Sequence, residues 1–290
     1  MSDSLSVLVS GATGQQGGAL ARVLLERGHG VRAFVRRPDS PEAKELERLG
    51  AELARGDFDE PSTLEDAAQG TDALFIVATP FEAGMEAETR HRIAAADAAK
   101  AAGVSHLLYS SVANADRNTG IPHFESKRKV EEHIEGLGIP YTIVAPVYFM
   151  DNLLAPWTLP QLKEGRLPMA LPSSRPLQQI TPSDIAAFTA LVLEHPEEFV
   201  DRRVDIASDE LSGEEVAEIL SGVTGREIHY VELPLEQVRQ AIGEDGARMF
   251  EWFDQVGYSA DISALRREHP EVGWHTFEGW AKEQDCSVLE

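Results

Sequence analysis

Gly11-Ala12-Thr13-Gly14-Gln15-Gln16-Gly17 lies between a short apolar run, Leu5-Ser6-Val7-Leu8-Val9, and a stretch with helical spacing, Leu20, Val23, Leu24 and Arg27, that stops at Gly28. Glycines at such a junction allow a tight turn, let a pyrophosphate come close to the backbone, and let the helix pack closely on the strand. The helix start that follows presents unpaired N–H groups and a partial positive charge to phosphate oxygens. Gly11, Thr13, Gly14, Gln15, Gln16 and Gly17 are therefore candidate phosphate-binding residues. A glycine trio alone is a weak signal. Its place at the first strand–helix junction, with strands and helices alternating after it, strengthens it.

Val31-Arg32-Ala33-Phe34-Val35 alternates like a second strand, and a helical pattern over 41–49 is bounded by Pro41 and Gly50. Residues 51–54 read as a short strand and 61–68 as a short helix opened by Pro61. Ala73-Leu74-Phe75-Ile76-Val77 is continuously apolar, as for a strand covered on both faces. An alanine-rich helix over 84–102 stops at Gly103; a strand at 104–110, a helix at 122–136 and a strand at 141–144 follow. Five or six strands with helices between them predict an α/β fold, a doubly wound parallel-sheet Rossmann-like domain over 1–155.

The rhythm then changes. Prolines 156, 160, 168, 172, 176 and 182 break residues 153–182 into loops and short pieces. A helix at 183–194 and a strand at 203–207 are expected to return parts of 178–210 to the main sheet. Ser212 followed by Glu215 has capping-box spacing for a helix over 212–223, and 235–255 is helical again. Residues 156–290 are thus expected to form a smaller C-terminal lobe over the carboxyl edge of the sheet, shaping a substrate pocket.

Composition narrows the function. The 290 residues are 42% hydrophobic, with no apolar run near the roughly 18 residues of a membrane span. Met1-Ser2-Asp3-Ser4 lacks the features of a signal peptide, and the single cysteine, Cys286, excludes an internal disulfide framework and a cysteine-built zinc site. These points predict a cytoplasmic protein without a membrane partner. Asp and Glu number 49 against 26 Lys and Arg, a net charge of −23, which disfavours nucleic-acid binding. Of the basic residues only 6 are Lys and 20 are Arg, a pattern expected of a salt-adapted surface. His91, His106 and His195 show no metal-ligand spacing, no metal site is expected, and the four tryptophans read as core or lobe-interface residues.

The end of the second strand selects the cofactor. NAD binders usually carry an acid there for the ribose 2′-hydroxyl. Here the strand ends Val35-Arg36-Arg37, with no acid until Asp39. Two guanidinium groups suit a 2′-phosphate, so Arg36 and Arg37 argue for NADP(H) over NAD(H). Gly56-Asp57-Phe58 follows the third strand, where such a sheet places the adenine; Asp57 accepts from the adenine amino group or caps a turn. Thr79, after the fourth strand, is placed near a ribose.

The glycine motif, Ser110-Ser111, His123-Phe124-Glu125-Ser126-Lys127 and Pro146-Val147-Tyr148-Phe149-Met150-Asp151-Asn152 resemble the NmrA-like family of atypical short-chain dehydrogenase/reductases. Segments 180–188 and 211–231 resemble the later half of that family. The resemblance implies a Rossmann-like fold binding NADP(H) or NAD(H). Active short-chain reductases carry Tyr-x-x-x-Lys on one helix face and a Ser at the preceding strand end. Ser111 and Lys127 match that pattern, and His123 stands where the tyrosine would be. The resemblance implies that Lys127 grips the nicotinamide ribose, that Ser111 orients the acceptor, and that Pro146 and Phe149 lie beside the nicotinamide. His123 is either a proton donor or a structural group.

Two functions follow. In the first, NADPH reduces a quinone or conjugated carbonyl, acceptors that ask little of a proton donor, so the missing tyrosine is tolerated. In the second, a non-enzymatic sensor reports the NADP(H) redox state to a protein partner, which the resemblance allows. An epimerase-type use of tightly held NAD is opposed by Arg36-Arg37 and by the lost tyrosine. The oligomeric state is open.

Overall fold

The computed structural model describes residues 4–77 and 84–284. Thr79 and Cys286 lie outside the described residues. The first half alternates as its apolar periodicity dictates: β1 (Ser6–Val9), α1 (Gln15–Glu26), β2 (Gly30–Val35), α2 (Pro41–Arg48), β3 (Glu52–Arg55), α3 (Pro61–Ala68), β4 (Ala73–Ile76), α4 (Met85–Ala102), β5 (His106–Ser110), α5 (Pro122–Gly136) and β6 (Tyr141–Pro146). Local signals set the ends of these helices. The Ser40 hydroxyl accepts from the Ala43 N–H ahead of α2, and α4 stops at Gly103, whose φ of 72° favours glycine.

The chain continues through β7 (Tyr148–Phe149), α6 (Leu159–Lys163), β8 (Arg166–Met169), β9 (Pro176–Ile180), α7 (Pro182–Glu194), α8 (Pro196–Phe199) and β10 (Arg202–Ile206). It ends with β11 (Asp209–Ser212), α9 (Gly213–Thr224), β12 (His229–Glu232), α10 (Leu235–Gln255), α11 (Ile262–Glu268) and α12 (Phe277–Glu283). The main sheet has seven strands in the order β10-β6-β5-β4-β1-β2-β3, all parallel: six from the first half and the strand expected to return near 203–207. That returning strand is β10, which pairs with β6 in register Arg202↔Thr142, and α7 packs on α1.

Both faces of this sheet are buried, as parallel sheets require. Val7 and Val9 point to one side with Leu20, Leu24 and Phe188; Leu8 points to the other with Leu74, Ile76, Tyr109, Val130 and Ile134. A period of two in β1 thus feeds two separate helix layers.

The stretch expected to be loops and short pieces contains short elements, and its strands pair with later ones. β9 pairs antiparallel with β11 and parallel with β7, and β8 pairs in parallel with β12. The prolines are tolerated in these strands because of where they sit. Pro176 opens β9, and Pro168 lies in a two-stranded pair, where every strand has a free edge that needs no N–H. These strands with α9 and α12 enclose Met150, Leu153, Leu167, Leu220, Phe277 and Trp280. The capping box of α9 forms as spaced: Ser212 accepts from the Glu215 N–H and the Glu215 carboxylate accepts from the Ser212 N–H. Helix α10 is broken at Gly243, with φ 81° and ψ −179°, so 235–255 is two helical segments. Trp274 and Trp280 are core, but Trp157 is 68% exposed, against the expectation for it. Among the described residues no helix is long and apolar enough to cross a membrane.

Candidate functional site

The glycine turn is built as its residues require. Gly11 has φ 60°, and a Cβ there would sit 2.9 Å from Val77 Cγ1. The Gly14 N–H donates to the Gly11 carbonyl at 2.9 Å, closing the turn. A Cβ on Gly17 would meet the Gly11 oxygen at 2.4 Å, so only glycine lets α1 start this close to β1. Gly14 is exposed and forms the N-cap of α1 without a side-chain cap, and the first turn has no acid. The first N–H groups of α1 are thereby left for an anion. Thr13 and Gln15 are exposed beside them. Gln16 is half-buried, and its Oε1 accepts from the Ser110 hydroxyl at 2.6 Å, which ties the turn to the end of β5.

Arg36 and Arg37 follow β2 and are exposed. At the end of β3, Asp57 Oδ1 accepts from the Asp59 N–H at 3.1 Å, so one carboxylate oxygen serves the turn. Phe58 packs edge-on to Phe34 with centroids 5.5 Å apart and stacks with His91 at 5.9 Å. Pro146 ends β6 in a buried position, and Phe149 is half-buried in β7 opposite Ile180. Burial pushes the Tyr148 phenol up to about 12, opposed by a hydrogen bond with Asn152.

The second cluster lies along α5. His123, Lys127 and Glu131 recur every four residues and share one face of the helix. Each is paired with a group from another element. His123 Nδ1 lies 2.6 Å from Asp245 Oδ2, and the His123 backbone N–H donates to Asp245 Oδ1 at 2.9 Å. Burial pushes the Asp245 carboxyl up, but hydrogen bonds and charge from His123 outweigh it and leave the group below its ordinary value. Lys127 Nζ is 3.7 Å from Glu88 on α4, and Glu88 in turn pairs with the buried Arg92. Burial first, and then repulsion by Arg92, bring the Lys127 amine down to about 7, with Glu88 opposing. Arg92 also lies over the Tyr109 ring, 5.7 Å from its centroid.

Ser111 departs from its expected role. It is buried, and its hydroxyl donates to Glu131. Arg203 on β10 donates to the other oxygen of Glu131 at 3.2 Å. The hydroxyl expected to orient an acceptor is instead committed to a buried carboxylate. Successive residues at a strand end face opposite ways, so Ser110 meets the glycine turn and Ser111 meets α5.

Reading the sequence missed Glu88, Arg92, Glu131, Arg203 and Asp245. The four-residue spacing from Lys127 to Glu131 was a usable signal for Glu131. Nothing near Asp245 in sequence pointed to His123, 122 residues away. A small apolar cavity lined by Leu153, Leu167, Met169, Leu171, Leu177 and Tyr230 lies beside β8, β9 and β12 and shares no residue with either cluster. Among the described residues, the exposed His195, Glu197 and Glu198 bring three ligating atoms within 4.8 Å of one another.

A relative, NAD(P)H azoreductase of Xenophilus azovorans, is 33% identical over 236 residues, covering 81% of this chain and 80% of the relative. The structure of Citrobacter sp. triphenylmethane reductase complexed with NADP(H) superposes with a TM-score of 0.81 at 22% identity, covering 96% of this chain and 99% of that one. The structure of NmrA, a negative transcriptional regulator, in complex with NADP has a TM-score of 0.75 at 23% identity and covers 97% and 95% of the two chains. At those identities the two structures speak for the fold. The model of the NmrA-like family matches residues 3–281. With that match spanning nearly the whole sequence, the chain belongs to the NmrA-like family.

Proposed function

We propose that this protein binds NADP(H), in preference to NAD(H), and reduces a small acceptor such as a quinone or conjugated carbonyl. The observation that carries the reading is the uncapped, glycine-lined start of α1, where a Cβ on Gly17 would collide with the backbone. The residues present fit the cofactor. Gly11, Gly14, Gly17 and the first N–H groups of α1 would hold the pyrophosphate, Arg36 and Arg37 the 2′-phosphate, and Lys127 the nicotinamide ribose. When bound, the cofactor supplies the hydride. The chain supplies orientation and a proton, the latter from His123.

Two things favour a reductase over a sensor. The relative covering four-fifths of the chain is an NAD(P)H azoreductase. His123 is also held by a carboxylate on α10, an arrangement suited to proton transfer. The sensor reading draws on the turned-away Ser111 and on likeness to a transcriptional regulator.

The test is NADPH oxidation in concentrated KCl against a panel of quinones, enones and aldehydes, with Lys127→Ala as control. Saturable turnover well above the control supports the reductase and names the acceptor class. No turnover, in a sample shown to bind NADPH, favours the sensor and directs the search to protein partners.

A further inference from the structure

We propose that Asp245 is a positioning residue for His123: it holds the ring as the Nδ1–H tautomer and leaves Nε2 as the atom that passes a proton to the acceptor. This rests on the reductase reading and adds a named residue from the smaller lobe to that site.

The geometry supports the assignment from three sides. A carboxylate can only accept, so the nitrogen 2.6 Å from Asp245 Oδ2 must carry the hydrogen. The other oxygen, Oδ1, accepts from the backbone N–H of the same histidine at 2.9 Å, so one side chain fixes both the backbone and the ring. A helix cap needs only one of those bonds; the bond to the ring is the surplus. Next to His123, Phe124 is fully buried against Trp252 and Tyr258, which holds the start of α5 on the segment that carries Asp245.

The backbone of α10 is shaped to deliver this carboxylate. Its break at Gly243 has φ 81° and ψ −179°, a region open essentially to glycine alone, and Asp245 lies two residues beyond it. An unbroken helix through 243 would aim residue 245 elsewhere. Charged groups around His123 are Asp245 on α10 and Lys127 one turn along α5; Lys127 is also felt by Asp245.

The proton step balances simply. With NADPH as reductant, the acceptor takes up a hydride at one atom and a proton at its heteroatom. The Nε2–H bond of the doubly protonated ring breaks, its electron pair stays on Nε2, and a new O–H or N–H bond forms on the acceptor. The ring is left neutral, still donating through Nδ1 to Asp245, and water returns the proton.

The test is Asp245→Asn. The amide oxygen of asparagine can still accept from the His123 N–H, so a purely capping role survives, while its NH₂ group facing Nδ1 reverses the tautomer. Ring ¹⁵N chemical shifts of the unliganded protein, recorded at a pH where the ring is singly protonated, are expected to show the hydrogen on Nδ1 in the wild type and on Nε2 in the variant. With an acceptor found by the panel above, kcat is expected to fall about 100-fold with NADPH affinity unchanged. An unchanged tautomer in the variant, or a reversed tautomer with wild-type kcat, overturns the inference. Should the variant fail to fold, an Nε2–H ring in the wild type overturns it and an Nδ1–H ring sustains it. A wild type that reduces no acceptor ends the reductase reading and the proton-donor half of this inference. The tautomer then decides the positioning half alone.

Discussion

The turn after β1 and the polar face of α5 are the two halves of the candidate site, and they are built in opposite ways. The turn is made of backbone. Its geometry comes from Gly11, Gly14 and Gly17, all within seven residues, and it leaves the first N–H groups of α1 without a side-chain cap. The face of α5 is made of side chains, and each acts through a partner far away in sequence: Asp245 for His123, Glu88 for Lys127, Ser111 and Arg203 for Glu131. A backbone site tolerates no added atom. A side-chain site tolerates changes of shape but responds to charge.

The largest effect should come from a single methyl in the turn. Gly17→Ala places a carbon 2.4 Å from the Gly11 oxygen, against backbone that cannot move aside. Overpacking of this kind costs about 1–3 kcal/mol of stability, and the displaced turn is expected to lose roughly 100-fold in NADPH affinity by fluorescence titration. Affinity within a few-fold of wild type would mean that the turn is not the phosphate cradle.

Next come the arginines after β2. The double variant Arg36→Ala, Arg37→Ala should lose roughly 10- to 100-fold in NADPH affinity, since hydrogen bonds to charged groups are worth about 1.5–3 kcal/mol. NADH affinity should barely change. Equal losses for both would remove the 2′-phosphate assignment.

The α5 side of the comparison predicts a pH effect that the turn does not. The Lys127 amine lies at about 7 when folded, against 10.5 ordinarily, because burial and then Arg92 disfavour its charge. Between those values the unfolded chain binds more protons than the folded one, so stability rises as pH increases from 7 toward 10.5. The slope from one group is at most about 1.4 kcal/mol per pH unit. Urea melts at pH 7, 8 and 9 should show this component in the wild type and not in Lys127→Met. Parallel curves would mean that the amine is not buried as described.

The smallest effect is expected at Asp57. With one oxygen committed to the Asp59 N–H, Asp57→Ala should cost about 0.5–1.5 kcal/mol of stability. NADPH affinity should shift by less than about threefold. A much larger loss of affinity would assign the remaining oxygen to the adenine.

How much of this was legible in the sequence differs sharply between the two regions. The turn was readable residue by residue, because a strand–helix junction and its glycines are local. The α5 residues His123 and Lys127 were also found, through their resemblance to the Tyr-x-x-x-Lys pattern of short-chain reductases. Their roles were not readable. Ser111 looked like an orienting hydroxyl until the structure showed it donating to Glu131, a matter of which way one residue faces at a strand end. The short pieces among the prolines of 153–182 were expected, but their pairing as strands was not readable, because proline discourages a central strand and says little against an edge.

The sequence by itself determined the layered parallel sheet, the glycine turn and the end of β2 with its two arginines. Apolar periodicity and turn chemistry act over a few residues, and few folds satisfy them together. Only the tertiary structure decided the electrostatics of α5. A charge in a protein interior answers to whatever lies within a few ångströms, and here that is Glu88 and Arg92 from α4, Arg203 from β10 and Asp245 from beyond a glycine break in α10. Those neighbours are set by how the elements dock, which no window of sequence contains.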